Sequence, residues 1–298
     1  MKIGLSSYSL VNLIRNGEMT ILEAIEWVAE NGGQHIEIVP FGFDLVNNPD
    51  LIDAIREKAK EVGIAISNYA ILANVIHYDQ EEYEKEIQRL KNEVDIANRL
   101  GVKRMRHDVS SFRRPMEENT ALHFEKDFPL MVQACQEIAD CAAQYGITTT
   151  VENHGFYVNG SDRIIRLIDA VNRPNFRMTL DVGNFLCVDE PAVAGVKKSI
   201  KYAEMIHLKD FYIRKSDQLP GIGDLFRCDS GNWFATYSGD LLRGSIVGQG
   251  DLDLWEILKI IKQSGYDGYI SVEFEGMEDG RAGSELGMGL AKRIWDMI

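Results

Sequence analysis

Residues 176–210 read FRMTLDVGNFLCVDEPAVAGVKKSIKYAEMIHLKD and contain the pattern that decides the fold. Two short, largely apolar runs, FRMTLDV and MIHLKD, flank a longer stretch at 193–203 that is typical of a helix. Strands that alternate with helices in this way are characteristic of parallel βαβ units. Each apolar run also carries a polar residue towards its carboxyl end, Asp181 in the first and His207 in the second. The segment therefore predicts a parallel sheet with polar groups at the carboxyl ends of its strands.

The same alternation continues through all 298 residues. The predicted strands cover residues 2–9, 35–40, 64–70, 102–109, 147–153, 176–182, 205–210 and 269–275. The predicted helices begin at Thr20, where Glu23 completes a capping box, and then cover residues 49–62, 81–100, 121–145, 162–171, 193–203, 252–264 and 284–297. Eight βα units predict a single α/β domain, a (β/α)8 TIM barrel, over residues 1–298. The alternative is an open doubly wound sheet, but no GxGxxG or P-loop sequence follows the first strand.

One connection departs from the short loops of the other units. Residues 211–250 separate the seventh strand from its helix, and a loop of that length in a compact domain is usually functional. The segment holds the aromatic residues Trp233, Phe234 and Tyr237. Aromatic rings pack against sugar faces or planar aglycones, so we expect either a lid over the barrel mouth or a contact in a homo-oligomer.

Composition and charge exclude several classes of protein. The chain carries 32 Lys and Arg against 46 Asp and Glu, a net charge of −14, which is the wrong sign for binding to a phosphate backbone. No apolar run reaches the length of about 18 residues that a membrane span needs, and the opening MKIGLSSYS has no signal-peptide core. We therefore expect a cytoplasmic protein that binds neither nucleic acid nor a membrane.

Polar residues close four consecutive predicted strands of the barrel. They are Glu152, Asp181, His207 and Glu273. Chemistry in such barrels takes place at the carboxyl ends of the strands, and three converging carboxylates need a compensating charge. One divalent ion satisfies this need, because two Glu, one Asp and one His form the oxygen and nitrogen donor set of Mn²⁺, Mg²⁺ or Co²⁺. As single residues, Glu152 or Glu273 could instead form salt bridges with Arg106 or Lys209.

The strand ends VENHG, LDVGN, IHLKD and SVEFEG, together with the run GQGDLDLWEILKIIKQSGYDGY before the last strand, resemble the sugar phosphate isomerase/epimerase superfamily with the xylose isomerase-like TIM barrel. The resemblance covers nearly the whole chain. It implies that the matching Glu152, Asp181, His207 and Glu273 bind one divalent metal, most commonly Mn²⁺, with Mg²⁺, Co²⁺ or Zn²⁺ as alternatives. It also implies that the two glutamates transfer the substrate protons.

The chain also departs from the ketose epimerases of that superfamily. They usually carry a His where this chain has Asn184, a Glu where it has Val158, and an Arg contact near Ile213, which Arg214 follows. A free ketohexose is therefore a less obvious substrate. The zinc endonucleases of the superfamily need further His ligands. This chain has Asn184 at the position of one of them, which argues against that activity.

Further polar residues are candidates for contact with the substrate. His154 follows Glu152 by two positions and would share its face in an extended chain, while His107 closes the fourth predicted strand. Either imidazole could act as a base near neutral pH or orient a substrate hydroxyl, and each could equally be a hydrogen-bonded wall residue. The full set of substrate-binding candidates is Glu37, Asn68, His107, His154, Asn184, Arg214 and Trp233.

These residues and the resemblance lead to one predicted function and two alternatives. We expect a metal-dependent isomerase or epimerase that abstracts a proton next to a carbonyl of a keto sugar, polyol or glycoside, through an enediolate. A lyase of the same superfamily, such as an inosose dehydratase or a subunit that cleaves 3-keto-glycosides, is the first alternative. A sugar-binding or partner subunit without catalytic activity is the second alternative. The presence of all four candidate metal ligands argues against it, because a subunit without activity could lose them.

Overall fold

The computed structural model describes residues 1–111, 114–215 and 232–298. These residues form eleven β-strands: β1 (Lys2–Ser6), β2 (His35–Ile38), β3 (Ala65–Ile71), β4 (Arg104–His107), β5 (Thr148–Glu152), β6 (Phe176–Asp181), β7 (Ala203–Leu208), β8 (Asp210–Arg214), β9 (Phe234–Ala235), β10 (Leu241–Ser245) and β11 (Tyr269–Val272). Strands β1 to β7 and β11 close into a barrel in the order β1-β11-β7-β6-β5-β4-β3-β2, and every neighbouring pair is parallel. The predicted (β/α)8 TIM barrel is therefore confirmed.

Helices lie between the barrel strands, as the alternating pattern requires. They are α1 (Val11–Arg15), α2 (Ile21–Glu30), α3 (Pro49–Val62), α4 (Gln80–Leu100), α5 (Ala121–Ala143), α6 (Ser161–Val171), α7 (Ala192–Ser199), α8 (Leu254–Gln263) and α9 (Gly280–Met297). The capping box at Thr20 is present, because its hydroxyl accepts from the Glu23 N–H while the Glu23 carboxylate accepts from the Thr20 N–H. Among the described helices, none has the length and apolar character needed to cross a membrane.

The last helix begins earlier than the sequence pattern predicts. Helix α9 starts at Gly280 rather than at residue 284. The Asp279 carboxylate accepts hydrogen bonds from the backbone N–H groups of Arg281 and Ala282, both at 3.0 Å, and so caps the first turn. Glycines in that turn hid its helical character from the sequence analysis, because glycine is a weak helix former.

One apolar core holds the barrel strands against the surrounding helices. Leu5 on β1 and Ile270 on β11 are buried in the same cluster as side chains from the inner faces of α2, α4 and α8. Burial of this kind stabilises a fold at about 25 cal/mol per Å² of apolar surface. The core therefore supplies a rigid frame on which the carboxyl ends of the strands are fixed.

The segment predicted as a long loop contains secondary structure. Its residues 216–231 lie outside the described part of the chain, but β8 pairs antiparallel with β10, and β10 pairs with β9. The Asp210 carboxylate clamps the base of this small sheet by accepting from the backbone N–H groups of Gly248 and Gly250, at 3.0 and 2.9 Å. The long connection after the seventh predicted strand thus contains short strands, which were not predicted because strands of two and five residues give only a weak pattern in sequence.

Candidate metal centre

The barrel brings four polar side chains together at the carboxyl ends of neighbouring strands. Glu152 ends β5, Asp181 ends β6, His207 lies near the end of β7, and Glu273 directly follows β11. Each offers one oxygen or nitrogen atom, and these atoms all lie within 4.8 Å of one another. All four residues are buried, with at most 8% of their surface exposed. The geometry is therefore that of a compact, closed donor cluster.

Two buried cations flank this cluster. The guanidinium Nε of Arg106 lies 2.8 Å from Oε2 of Glu152, and Nζ of Lys209 lies 2.7 Å from Oε2 of Glu273. Both glutamates thus form the salt bridges that were the alternative to a metal site, and they also belong to the four-residue cluster. Arg106 and His207 hold the pKa of Glu152 well below its usual value, although burial acts in the opposite direction. These neighbours therefore favour the ionised form of Glu152.

The carboxylate of Glu37, outside the four-residue cluster, orients His207. Nε2 of His207 lies 2.9 Å from Oε2 of Glu37, and Asn68 donates a 2.6 Å hydrogen bond to Oε1 of Glu37. The other ring nitrogen, Nδ1, faces Oε1 of Glu152 at 3.5 Å and Oε1 of Glu273 at 3.7 Å. Burial lowers the pKa of His207, but the carboxylates of Glu37, Glu273 and Glu152 outweigh that effect and raise it well above its usual value. The imidazole ring therefore lies where positive charge is favoured.

Two atoms of the cluster are buried without a hydrogen bond. Nδ1 of His207 and Oδ2 of Asp181 have no hydrogen-bond partner among the described residues. The other oxygen of Asp181, Oδ1, accepts from the backbone N–H groups of Gly183 and Asn184, both at 2.8 Å. Burial raises the pKa of Asp181 to about 6. A buried polar atom without a hydrogen bond is costly, and a divalent cation would coordinate both atoms at once. The donor set, three carboxylates and one imidazole, therefore fits a metal ion.

The cluster opens into a cavity of about 190 Å³, which we call the reaction cavity. Glu152, His207 and Glu273 line it, together with His154 and the apolar side chains of Phe41 and Ile71. Nδ1 of His154 lies 3.2 Å from Oδ1 of Asp108. Burial lowers the pKa of His154, but the Asp108 carboxylate has the larger effect, so the pKa of His154 is raised overall. A small molecule in this cavity would meet both glutamates and a positively polarised imidazole.

Three of the predicted substrate-binding residues lie at the cavities. His154 borders the reaction cavity, and Asn184 donates a hydrogen bond of 3.2 Å to Oε1 of Glu152. Asn184 and Trp233 also line a larger adjoining cavity of about 600 Å³, which we call the outer cavity. Trp233 lies directly before β9, so the small sheet positions it there.

The structure places the other four predicted substrate contacts away from both cavities. Glu37 and Asn68 are fully buried behind His207, where they support its imidazole ring. His107 is also fully buried, and its ring lies 6.2 Å from that of Phe176, on the side of β4 opposite Arg106. Arg214 is exposed on β8 and forms a salt bridge of 3.2 Å with Asp251. As substrate contacts these four residues remain predictions, and the sequence did not show the direction in which each side chain points.

Four further residues at the cluster or its cavities were not predicted from the sequence as part of the site. Arg106 and Lys209 were considered only as salt-bridge partners, and Tyr8 and Glu275 were not considered at all. Tyr8, Lys209 and Glu275 border both cavities, and Nζ of Lys209 lies 3.2 Å from Oε2 of Glu275. The available signal was the period of two in a strand, because Lys209 follows His207 by two positions and Glu275 follows Glu273 by two.

Comparisons with known proteins agree with this fold. An inosose dehydratase from Clostridium perfringens is 21% identical over 202 residues, which are 65% of this chain and 64% of that protein. The match therefore spans slightly less than two thirds of that relative. The crystal structure of a probable 3-DHS dehydratase involved in petrobactin synthesis, from Bacillus anthracis, superposes with a TM-score of 0.74 at 15% identity and covers 98% of this chain and 99% of its own.

A third similar protein is an epimerase. The structure of a D-allulose 3-epimerase from Methylomonas sp. superposes with a TM-score of 0.72 at 17% identity and covers 99% of this chain and 98% of its own. The family model described as xylose isomerase-like TIM barrel matches residues 25–294, which include helices α3 to α8, most of α2 and α9, and seven of the eight barrel strands. The chain belongs to the xylose isomerase-like TIM barrel family.

Proposed function

We propose that this protein is a divalent-metal-dependent isomerase or epimerase that acts on a keto sugar or polyol derivative by removing a proton next to its carbonyl. The observation that carries the proposal is the arrangement of Glu152 and Glu273 at the reaction cavity. Each carboxylate has Oε2 paired with a buried cation, Arg106 or Lys209, while its Oε1 faces Nδ1 of His207. Two fixed carboxylates on one small cavity are suited to proton transfer.

The two glutamates approach the cavity from different strands. In the barrel, β5 and β11 are separated by β6 and β7, so the carboxylates of Glu152 and Glu273 lie on two sides of the cluster. One carboxylate removes the proton beside the carbonyl, and the other returns a proton to the substrate at a second position or on the opposite face. Reprotonation elsewhere gives isomerisation, and reprotonation on the opposite face gives epimerisation.

The candidate cofactor is one divalent ion held by Glu152, Asp181, His207 and Glu273. When bound, it supplies positive charge that stabilises the negative charge developing on the substrate oxygens. A donor set of three carboxylates and one imidazole favours Mn²⁺, with Mg²⁺, Co²⁺ or Zn²⁺ as alternatives. Glu37 lies against Nε2 of His207 and leaves Nδ1 facing this position, and the backbone N–H groups after Asp181 hold the Asp181 carboxylate.

A lyase is the second candidate, and the groups beside the glutamates support it. Elimination needs a proton donor for the leaving group, and Tyr8, His154 and Lys209 all border the reaction cavity. Two of the similar proteins are also named as dehydratases. In this alternative the same proton abstraction by Glu152 or Glu273 is followed by loss of a β-substituent instead of reprotonation.

Solvent deuterium distinguishes these reactions. The protein, loaded with Mn²⁺, is incubated in D₂O with a panel of keto sugars, keto polyols and their glycosides, and products are read by NMR and mass spectrometry. We expect deuterium at the carbon beside the carbonyl in recovered substrate or its isomer, because reversible proton removal requires it. Release of water or an aglycone without deuterated sugar would favour the lyase. Absence of both reactions across the panel would contradict enzymatic activity and leave the sugar-binding alternative.

A further inference from the structure

The reaction cavity and the outer cavity lie next to each other and share part of their lining. Tyr8, His154, Lys209 and Glu275 line both of them, so these four residues form the boundary between the two cavities. The reaction cavity, at about 190 Å³, is smaller than the range of about 300–1,000 Å³ found for most small-molecule sites. The outer cavity, at about 600 Å³, falls inside that range. A single sugar ring in the reaction cavity would leave the larger part of the space unused.

Aromatic side chains line one wall of the outer cavity. Trp233, Phe234, Phe156 and Phe211 all border it, and we call these four residues the aromatic wall. Phe234 packs edge-on against two of the others, with ring centroids 6.3 Å from Phe156 and 5.8 Å from Phe211. Trp233 and Phe234 are only partly buried, so part of each side chain is exposed to solvent.

Two features show that the aromatic wall is held in place. Phe156 has φ +70°, a conformation that bulky residues rarely adopt, and its backbone N–H donates to Oδ1 of Asn159 at 2.5 Å. Backbone strain of this kind persists where the surroundings impose it, often at ligand sites. On the other side, the guanidinium of Arg243 lies 5.2 Å from the Trp233 ring, which fixes that ring by a cation–π contact.

Polar side chains also border the outer cavity. Asn12, Arg15 and Glu278 border it, and the first two follow β1 while the third follows β11. Hydrogen-bonding side chains beside aromatic faces suit a ring with an apolar face and polar edges. The outer cavity lies next to the proposed site of proton removal. A ring bound in the outer cavity could therefore belong to the same molecule as the reacting sugar.

Building on the proposed function, we infer that the substrate is a glycoside of a keto sugar, with its reacting ring in the reaction cavity and a second ring against the aromatic wall. The glycosidic oxygen would lie between Tyr8, His154, Lys209 and Glu275, where the two cavities meet. The second ring is either another sugar or an aromatic aglycone, since both present a flat apolar face.

Binding measured by calorimetry on the full chain loaded with Mn²⁺ tests this inference. The ligands are a 3-keto hexose and its methyl, phenyl and glucosyl glycosides. We expect the phenyl or glucosyl glycoside to bind at least about tenfold more tightly than the methyl glycoside, and whichever does so identifies the second ring. Equal affinities for all three glycosides would overturn the inference.

A pair of variants assigns the preference to the aromatic wall. Phe234→Ala should reduce the tenfold preference for the ring glycoside to about twofold or less, with thermal unfolding measured to show that it remains folded. Trp255→Ala is the matched control, because Trp255 is an exposed aromatic residue on α8 outside the described lining of both cavities. An unchanged preference in Phe234→Ala would also overturn the inference.

The same ligands separate this inference from the proposed function. Deuterium exchange on all three glycosides without a difference in affinity would support proton abstraction and overturn the second-ring site. A tenfold binding preference without exchange would support the second-ring site and contradict the proposed reaction. Failure of every ligand to bind would contradict both.

Discussion

Nε2 of His207 lies 2.9 Å from Oε2 of Glu37, and both side chains are almost completely inaccessible to solvent. This contact determines which ring nitrogen of His207 faces the other candidate ligands. A carboxylate behind a metal-binding histidine fixes the ring orientation and increases the basicity of the nitrogen that binds the metal. Glu37 was predicted from sequence to contact substrate; from its position behind His207 we propose that it orients a metal ligand instead.

The first prediction concerns this contact. Glu37→Gln should lower the affinity for Mn²⁺ by about 10- to 100-fold, because the amide keeps the shape of the side chain but removes the charge that supports His207. Competition with a chelating dye measures the affinity. Glu93→Gln is the matched control, since Glu93 is also buried but accepts from Tyr69 outside the barrel. Equal affinities in the two variants would show that Glu37 does not support the metal site.

The second prediction concerns the proton-transfer pair. Glu152→Gln and Glu273→Gln should each reduce turnover by about 10²- to 10⁴-fold, because an amide cannot accept the substrate proton. Deuterium exchange measures turnover on the substrate found in the panel experiment, and metal content is determined in both variants to separate loss of chemistry from loss of the ion. Glu204→Gln serves as control, because Glu204 pairs with Arg104 at the opposite end of β7. Near-normal turnover in a metal-loaded variant would remove that glutamate from the proton-transfer role.

The third prediction concerns stability and pH, and rests on His35. Burial lowers the pKa of His35 to about 4, against 6.5 in an unfolded chain. Between these values the unfolded chain binds a proton that the folded protein does not, so the free energy of unfolding should decrease as the pH falls through this window. The loss is on the order of 3 kcal/mol and levels off below about pH 4.

His35→Gln isolates that contribution. The variant cannot titrate, so its free energy of unfolding should fall less between about pH 7 and about pH 4.5 than that of the unmodified protein. Urea denaturation in the presence of EDTA measures both, which keeps metal binding from adding its own pH dependence. Parallel pH profiles would contradict the assignment to His35.

The fold and the core of the candidate site could be read from sequence for a simple reason. Alternating strands and helices leave few arrangements open to a chain of this length, and a parallel barrel brings all carboxyl strand ends to one face. The residues at those ends, such as Glu152 and Asp181, were therefore expected to meet, and they do.

The roles of residues could not be predicted from the sequence where they depend on the direction in which the side chain points. On β4, Arg106 faces Glu152 while the next residue, His107, packs near Phe176 on the other side of the strand. A shift of one residue reverses the face of a strand, and the sequence of a buried strand does not show which face lines the site. The role of Glu37 was missed for a related reason, since burial behind His207 depends on how the strands stagger around the barrel.

The position of the bound ion shows whether these four side chains form a metal site. Crystals of the protein loaded with Mn²⁺ give anomalous scattering that marks the ion without reference to any assumed ligand. We expect one strong peak, with Glu152, Asp181, Nδ1 of His207 and Glu273 as its ligands, at bond lengths of about 2.0–2.6 Å. A peak at another position, or no peak among these four side chains at saturating Mn²⁺, would contradict this expectation.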